Sequence, residues 1–436
     1  MLTALAVVAA LAFPSAAAAA PRGLARVSED ASFALAGDHV LFSRTNEQTL
    51  QVFAVPITGG PERKVFEFTA PPEQVARARL AASSERVALS VIVGSYGSSI
   101  NAVQAFSGPP LGPWTAFTPL TALDTPGWVF PFGHEVDGAR VFTFEARGGL
   151  DQLGIVVRDP EPREVELPEE ERLFATFAGD LVASAIGRTL RLRDWRTGAV
   201  RSQTTLPSEI EGLALRPDGH VAALTDEDGI VDVRPGGQVR RLKSGSADIA
   251  FAGERLVAHV GTGLRVIEPA GKERRFGTPT QELGESFDTD DRHVAWVANR
   301  CLLIAPASAP RAATIAGGGP CPRSEVQVGD DDGDTHLSRR IPFTLECVAA
   351  PSRCRGTVQL RGFDLSTERG YTLSARQKFS IAAGRSKRLR VRLTDAGYRR
   401  LRTQTNRDTD ATVIVHARTN DGDQAAEAAS GILILP

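Results

Sequence analysis

The residues of this chain that could do chemistry are scattered. Seven histidines (His39, His134, His220, His259, His293, His336 and His416) stand singly, with no pair at ligand spacing. Cys301, Cys321, Cys347 and Cys354 contain no C-x2-C pair, so zinc, with His336 as the nearest imidazole, is the weaker reading of them. The chain has no G-x-S-x-G elbow, no G-x-x-x-x-G-K-[ST] loop, no H-E-x-x-H and no S-x-D-x-G-x-T-W box. The acidic run Asp330 to Asp334 lacks the spacing of a helix–loop–helix calcium site and reads as a solvated linker. What remains is recognition chemistry. Tyr96, Trp114 and Trp128 lie in a Gly- and Pro-rich stretch, 94–128, where exposed rings could stack on a sugar or a peptide. The same tryptophans could instead pack between structural units. No catalytic residue, metal ligand or cofactor site is expected.

The elements that must position these groups are hairpins. Leu213 to Leu224 reads L-A-L-R-P-D-G-H-V-A-A-L, two alternating segments joined by Arg216-Pro217-Asp218-Gly219. Proline presets the first turn residue, aspartate supplies a local acceptor, and glycine tolerates positive φ. One hairpin cannot bury its apolar face alone, and the unit recurs. Its turn residues Asp38, Glu85, Gly138, Asp180, Gly219, Glu254 and Asp291 are separated by 47, 53, 42, 39, 35 and 37 residues. That period fits four-stranded blades. His39, His220 and His293 sit beside equivalent turns. Blade architecture explains this better than a ring of metal ligands.

Arg216-Pro217-Asp218-Gly219 resembles the S-P-D-G turn of TolB-like and WD-repeat β-propellers. Asp194-Trp195-Arg196-Thr197-Gly198 is similar to the turn between the last two strands of a WD-repeat blade. Only one unit has Pro-Asp-Gly, and none has the Gly-His…Trp-Asp pair. The resemblance covers about 30–318 and implies a β-propeller. Seven blades are expected, with six as the alternative because the second and third units are irregular.

The ends differ in character. Leu2 to Phe13 is an apolar run closed by Pro14-Ser15 and the small residues Ala16 to Ala20, the form of an export signal over 1–20. It is short of the roughly 20 apolar residues of a spanning helix, and no later segment is long and apolar enough to span. Export makes disulfides the default for the four cysteines, which allow three pairings. Cys347–Cys354 and Cys301–Cys321 are favoured. After a linker at 319–336, short alternating segments over 337–436 suggest an immunoglobulin-like sandwich, with Thr394-Asp395 capping a helical turn. Cys347…Cys354-Arg355-Gly356-Thr357-Val358-Gln359-Leu360 looks similar to the opening of small Ig-like modules of secreted actinobacterial proteins.

The chain's formal net charge is −2, so nothing global calls for a nucleic acid. From Leu337 to Pro436, however, 18 Lys and Arg oppose 9 Asp and Glu. A basic module could adhere to anionic cell-surface polymer, or present a solvated outer face. Together these features predict an exported, monomeric all-β protein: a propeller followed by an Ig-like sandwich. It would bind a protein or an envelope polysaccharide without catalysis. The rivals are a propeller-type lyase or hydrolase acting on an extracellular polymer, and a purely structural wall protein.

Overall fold

A computed structural model describes residues 21–435 with internal breaks, the longest at 123–128, 278–286 and 310–325. The expected export signal, 1–20, lies outside the described residues. Among the described residues the chain is almost entirely β, with one α-helix at Asp395–Thr403. No helix among the described residues is long and apolar enough to cross a membrane.

Between Arg22 and Pro306 the strands form seven antiparallel sheets among the described residues. The first contains Phe33–Ala36, His39–Asn46, Thr49–Pro56 and Arg63–Thr69. The second is built on Gln74–Ala82, Val87–Ser95 and Ile100–Gly108, edged by the short strands Thr115–Ala116 and Thr121–Ala122. The third runs from Val129–Asp137 to Glu161–Glu164, the fourth from Ala175–Ala178 to Val200–Thr205, and the fifth from Ile210–Leu215 to Val239–Lys243. The sixth runs from Asp248–Ala252 to Glu273–Gly277. Apart from the two short edge strands of the second sheet, which both pair with Ile100–Gly108, successive strands pair as hairpins, so their registers are set by local turns.

These sheets have a composition that follows from being covered on both faces. Val221–Thr225 and Gly229–Val233 are buried at every position, whereas the outer strand Glu161–Glu164 is exposed at every position. Apolar side chains of consecutive sheets interlock. Phe142 and Ile155 of the third meet Phe177 and Val182 of the fourth, and Ala223 and Val231 of the fifth meet Ala183 and Leu190 of the fourth. The pattern continues around all the sheets until Ala295, Val297, Leu302 and Ile304 of the seventh pack against Phe33, Leu35, Val40 and Phe42 of the first. Sheets packed face to face in sequence order, with the last returning to the first, are a β-propeller.

The seventh sheet is composite. Phe287–Thr289, His293–Ala298 and Cys301–Pro306 are joined by Arg22–Arg26, which pairs antiparallel with Cys301–Pro306. The propeller therefore begins before residue 30, the boundary expected from the repeats. A strand from one chain end completing the sheet at the other ties the ring shut, with Arg22–Arg26 as that sheet's outer strand.

Turn chemistry is as the residue types require. Asp218 Oδ1 accepts from the His220 N–H (3.1 Å) and Gly219 takes φ 86°. At Gly253 a Cβ would lie 2.6 Å from the Asp291 carbonyl oxygen, so here glycine serves the packing of one turn against the next sheet.

The C-terminal strands form two sheets over one core. Val326–Val328, Arg340–Cys347 and Ser386–Arg392 make the smaller sheet. Asp334–His336, Gln424–Leu435, Thr409–Arg418 and Cys354–Asp364 make the larger, with Arg369–Thr372 and Gln377–Ile381 also pairing to Cys354–Asp364. Val326, Ile341, Phe343, Val358, Leu360, Phe379 and Val391 fill the space between them. The segment 319–336, expected as a linker, thus supplies two strands. Their pairing partners lie far along the chain, and no local alternation marks them. Thr394 Oγ1 accepts from the Gly397 N–H (2.9 Å), capping the helix as expected.

Cys347 and Cys354 are disulfide-bonded with Cα atoms 5.8 Å apart, and no cysteine among the described residues is free. Cys321 lies outside the described residues. Replacing both Cys347 and Cys354 by serine should destabilise the C-terminal unit by about 2–3 kcal/mol, the loop-closure value for so short a ring. All four tryptophans precede residue 300. Circular dichroism should therefore show the loss while tryptophan fluorescence does not move. Coincident shifts of both would contradict separate cores.

Candidate functional site

Polar side chains on or beside the innermost strands join one sheet to the next. The Leu80 N–H donates to Ser32 Oγ (2.9 Å), and Ser90 Oγ donates to the Pro131 carbonyl (3.0 Å). The Phe177 N–H donates to Glu135 Oε2 (2.7 Å) and the Leu35 N–H to Asp288 Oδ2 (2.6 Å). Thr289 Oγ1 donates to the Phe251 carbonyl (2.8 Å). A side chain of one sheet thus satisfies an inner-strand backbone group of its neighbour, where sheet ladders cannot reach.

Three of these inner groups have displaced protonation. Glu135, Asp288 and His134 are half-buried, with protein packed densely about their ionisable ends. Depth sets the direction of each shift, and the residual access limits its size. Burial pushes Glu135 up to about 7 against the pull of its hydrogen bonds from Phe177 and Thr176. Asp288 rises to about 6 for the same reason. Burial lowers His134 to about 3, helped by the charges of Arg158 and Arg79. Its Nε2 lies 2.8 Å from Ser90 Oγ, while Nδ1 is buried without a partner. Because Ser90 donates to Pro131, the imidazole proton belongs on Nε2.

A pH signature follows. Between its ordinary value of 4.5 and its folded value of about 7, Glu135 keeps its proton in the fold and releases it in the unfolded chain. Its contribution is therefore complete below 4.5 and disappears as pH rises through 7, at most about 3 kcal/mol. His134 runs the other way: stability falls as pH drops below 6.5, where only the unfolded chain takes up the proton. Glu135→Gln keeps an oxygen for Phe177 and removes one titration. Urea unfolding of variant and parent at pH 5 and pH 8 should show the variant gaining relative stability at the higher pH. An identical difference at both would contradict the assignment.

A cavity of about 330 Å³ lies between the fifth and sixth sheets, beside their turns. Its floor is Phe251 with Leu242, Leu256 and Ile267, and its wall carries Arg216, His220, Asp232, Arg234 and Arg240. The Arg216-Pro217-Asp218-Gly219 turn places Arg216 over the Phe251 ring, 5.9 Å from its centroid. Asp232 is almost wholly buried and is shared. His220 Nε2 bonds its Oδ1, Arg240 Nη2 lies 3.1 Å from Oδ2, and Arg234 Nε 3.6 Å. Burial alone would raise this carboxyl. The His220 hydrogen bond and the charges of His220, Arg240 and Arg234 outweigh it and hold Asp232 below its usual range. Arg234 and Arg240 also reach the Pro269 carbonyl of the sixth sheet, at 3.4 and 3.2 Å. Arg240 Nε is buried without a partner. Asp218, Glu254 and Glu268 also line the cleft, and Arg216 Nη2 lies 3.0 Å from Asp218 Oδ2, so charges of both signs rim an apolar floor, a lining that suits an extended segment with an apolar side chain among polar ones.

The residues singled out from sequence fall elsewhere. Trp114 is half-buried, stacked on Phe66 with ring centroids 5.4 Å apart, and its indole N–H donates to the Pro109 carbonyl (2.8 Å). Tyr96 and Trp128 lie outside the described residues. The turn histidines are not brought together. His39 bonds Asp38 (2.6 Å), His293 bonds Asp290 (3.1 Å), and His220 bonds Asp232. No group of His, Cys, Asp and Glu able to hold a metal occurs among the described residues. The cleft residues are not legible in sequence, because Arg, His and Asp beside a turn read as solvated. Their one signal was Arg216 and His220 flanking the same Pro-Asp-Gly.

No protein-family model matches this chain, and no curated protein matches it. Among solved structures, the β-propeller domain of Cps50 (Swd1) from Myceliophteria thermophila is 13% identical, with a TM-score of 0.41 over 66% of this chain and 99% of that one. Sqt1 from Saccharomyces cerevisiae is 12% identical, with a TM-score of 0.38 over 66% and 98%. BamB from Moraxella catarrhalis is 14% identical, with a TM-score of 0.36 over 66% and 98%. The propeller assignment here rests on the closed circuit of sheets itself.

Proposed function

We propose that this chain is an exported, non-catalytic binding protein of the cell envelope, with a seven-bladed propeller as its platform and an Ig-like sandwich behind it. The observation that carries the binding role is the cleft between the fifth and sixth sheets. Its buried carboxylate is already neutralised by Arg240, Arg234 and His220, while Arg216 stands over an apolar floor. Such a cleft takes up an extended segment of a protein partner. Export is supported by the leader, whose Ala16 to Ala20 run ends just before the strand Arg22–Arg26, so removal of the leader spares ring closure. The carboxyls of Glu135 and Asp288 accept backbone N–H groups of neighbouring sheets, a structural use that weighs against the lyase or hydrolase reading.

The test is capture of envelope proteins by the mature chain and by a Phe251→Ala, Arg216→Ala variant. The reading expects one partner held by the parent and lost by the variant, with export of the full precursor. A partner held equally by both would contradict the cleft, and retention of the unprocessed precursor inside cells would contradict export.

A further inference from the structure

The C-terminal unit carries a second surface, independent of the cleft. Ser386–Arg392 reads S-K-R-L-R-V-R and is the terminal strand of the smaller sheet. Leu389 and Val391 point into the core, so Arg388, Arg390 and Arg392 share the outer face, all exposed. The neighbouring strand aligns Arg340 directly with Arg392 and Thr344 with Arg388. Like charges directly opposed across two strands destabilise a sheet. Edge protection needs charge but not this pairing, and no acidic residue is interspersed on the strand. Arg388, Arg390 and Arg340 have no ion pair among the described residues. The acid at the end of the row is Asp395. Its hydrogen bond from Arg339 (2.7 Å), reinforced by the charges of Arg392 and Arg399, keeps it ionised well below the usual range.

We propose that Arg340, Arg388, Arg390 and Arg392 form a docking row for a linear phosphodiester polymer of the envelope. Alternate residues of a strand recur at about 6.6 Å. A short-spacer phosphodiester chain carries a full charge on every repeat at a comparable step, whereas a glycuronan with one carboxylate per disaccharide has a longer one. Guanidinium pairs with phosphate through two parallel N–H···O bonds, which a lysine cannot make. Each guanidinium would engage one phosphate, and the strand keeps successive phosphates in step. The envelope reading enters only in the polymer's source; the binding itself does not depend on it.

The experiment uses the full mature chain with a synthetic poly(glycerol phosphate) oligomer, hyaluronan of matched length and single-stranded DNA as probes. The expected result is binding of poly(glycerol phosphate) in preference to hyaluronan, with single-stranded DNA, a phosphodiester chain of similar step, bound comparably. The R388Q/R390Q/R392Q variant should lose about tenfold or more in affinity, with a salt slope shallower by about 2, near the 0.7 per contact of a flexible polyanion. A melting temperature of the variant at or above the parent's shows that the fold survives and that the opposed charges were held at a cost. The cleft variant F251A/R216A should bind the polymer as the parent does, so failure of the protein-partner reading would not touch this one. Equal affinity of parent and triple variant would overturn the proposal. So would hyaluronan binding as tightly as poly(glycerol phosphate), or an equal loss in an R163Q/R196Q/R201Q variant of the propeller.

Discussion

A chain lacking residues 1–28 should lose cooperative unfolding of the propeller, with a stability loss of at least about 5 kcal/mol. Leu24 is 2% exposed and Ala25 0%, both within the cluster that joins the seventh sheet to the first. Burying a leucine or valine side chain stabilises by about 1.5–3 kcal/mol. The truncation removes Leu24 and Val27 together with the hydrogen bonds to Cys301–Pro306. It also turns that strand into an open edge, so self-association should accompany the loss. Leu24→Asp tests the same contact at full length, placing a charge within the apolar cluster. Tryptophan fluorescence reports directly, because Trp296 lies in the same sheet. A truncated chain that melts like the parent would contradict closure by the N-terminal strand.

Glu171→Ala should cost about 1–3 kcal/mol, the penalty for leaving the buried Ser184 hydroxyl and two partly buried arginines without their acceptor. Glu171 is fully buried beneath the fourth sheet. Its carboxylate bonds Arg191 Nη1, lies 3.0 Å from Arg193 Nη2, and accepts from Ser184 Oγ at 2.5 Å. Burial alone would raise its pKa. The hydrogen bonds from Arg193, Ser184 and Arg191 outweigh that and hold it below the ordinary 4.5. A lowered folded pKa means the contribution is complete above 4.5 and is lost as pH falls through the folded value. Parent and Glu171→Ala should therefore converge in acid and separate at neutral pH. A difference independent of pH would place the effect in packing.

The hairpins were legible because each is local. Asp38, Gly138, Asp180, Gly219 and Glu254 all stand in or beside the turns that join the first two strands of their sheets. Residues that depend on distant partners were not. Arg-Gly-Leu-Ala-Arg has no alternation to mark it, and only Cys301–Pro306 makes it a strand. Glu169-Glu170-Glu171 reads as a solvated acidic run until the fold places its last carboxylate under two arginines. The aromatic stretch drew attention for its residue types, yet Trp114 spends one face on Phe66. The cleft depends on two sheets meeting, and a single repeat contains only half of it. In the C-terminal unit, the alternation in Ser386–Arg392 was plain from sequence. The opposition of Arg392 to Arg340 required the register.

The central claim is that the chain binds a partner at the cleft and leaves it chemically unchanged. Hydrogen exchange of the full mature chain, with and without a purified envelope fraction, tests both parts in one mixture. The account predicts protection confined to the turns around Arg216, Arg234, Glu254 and Glu268, with the fraction recovered intact. Protection at the inner strands around Glu135 and Asp288, together with shortened polymer in the recovered fraction, would contradict it.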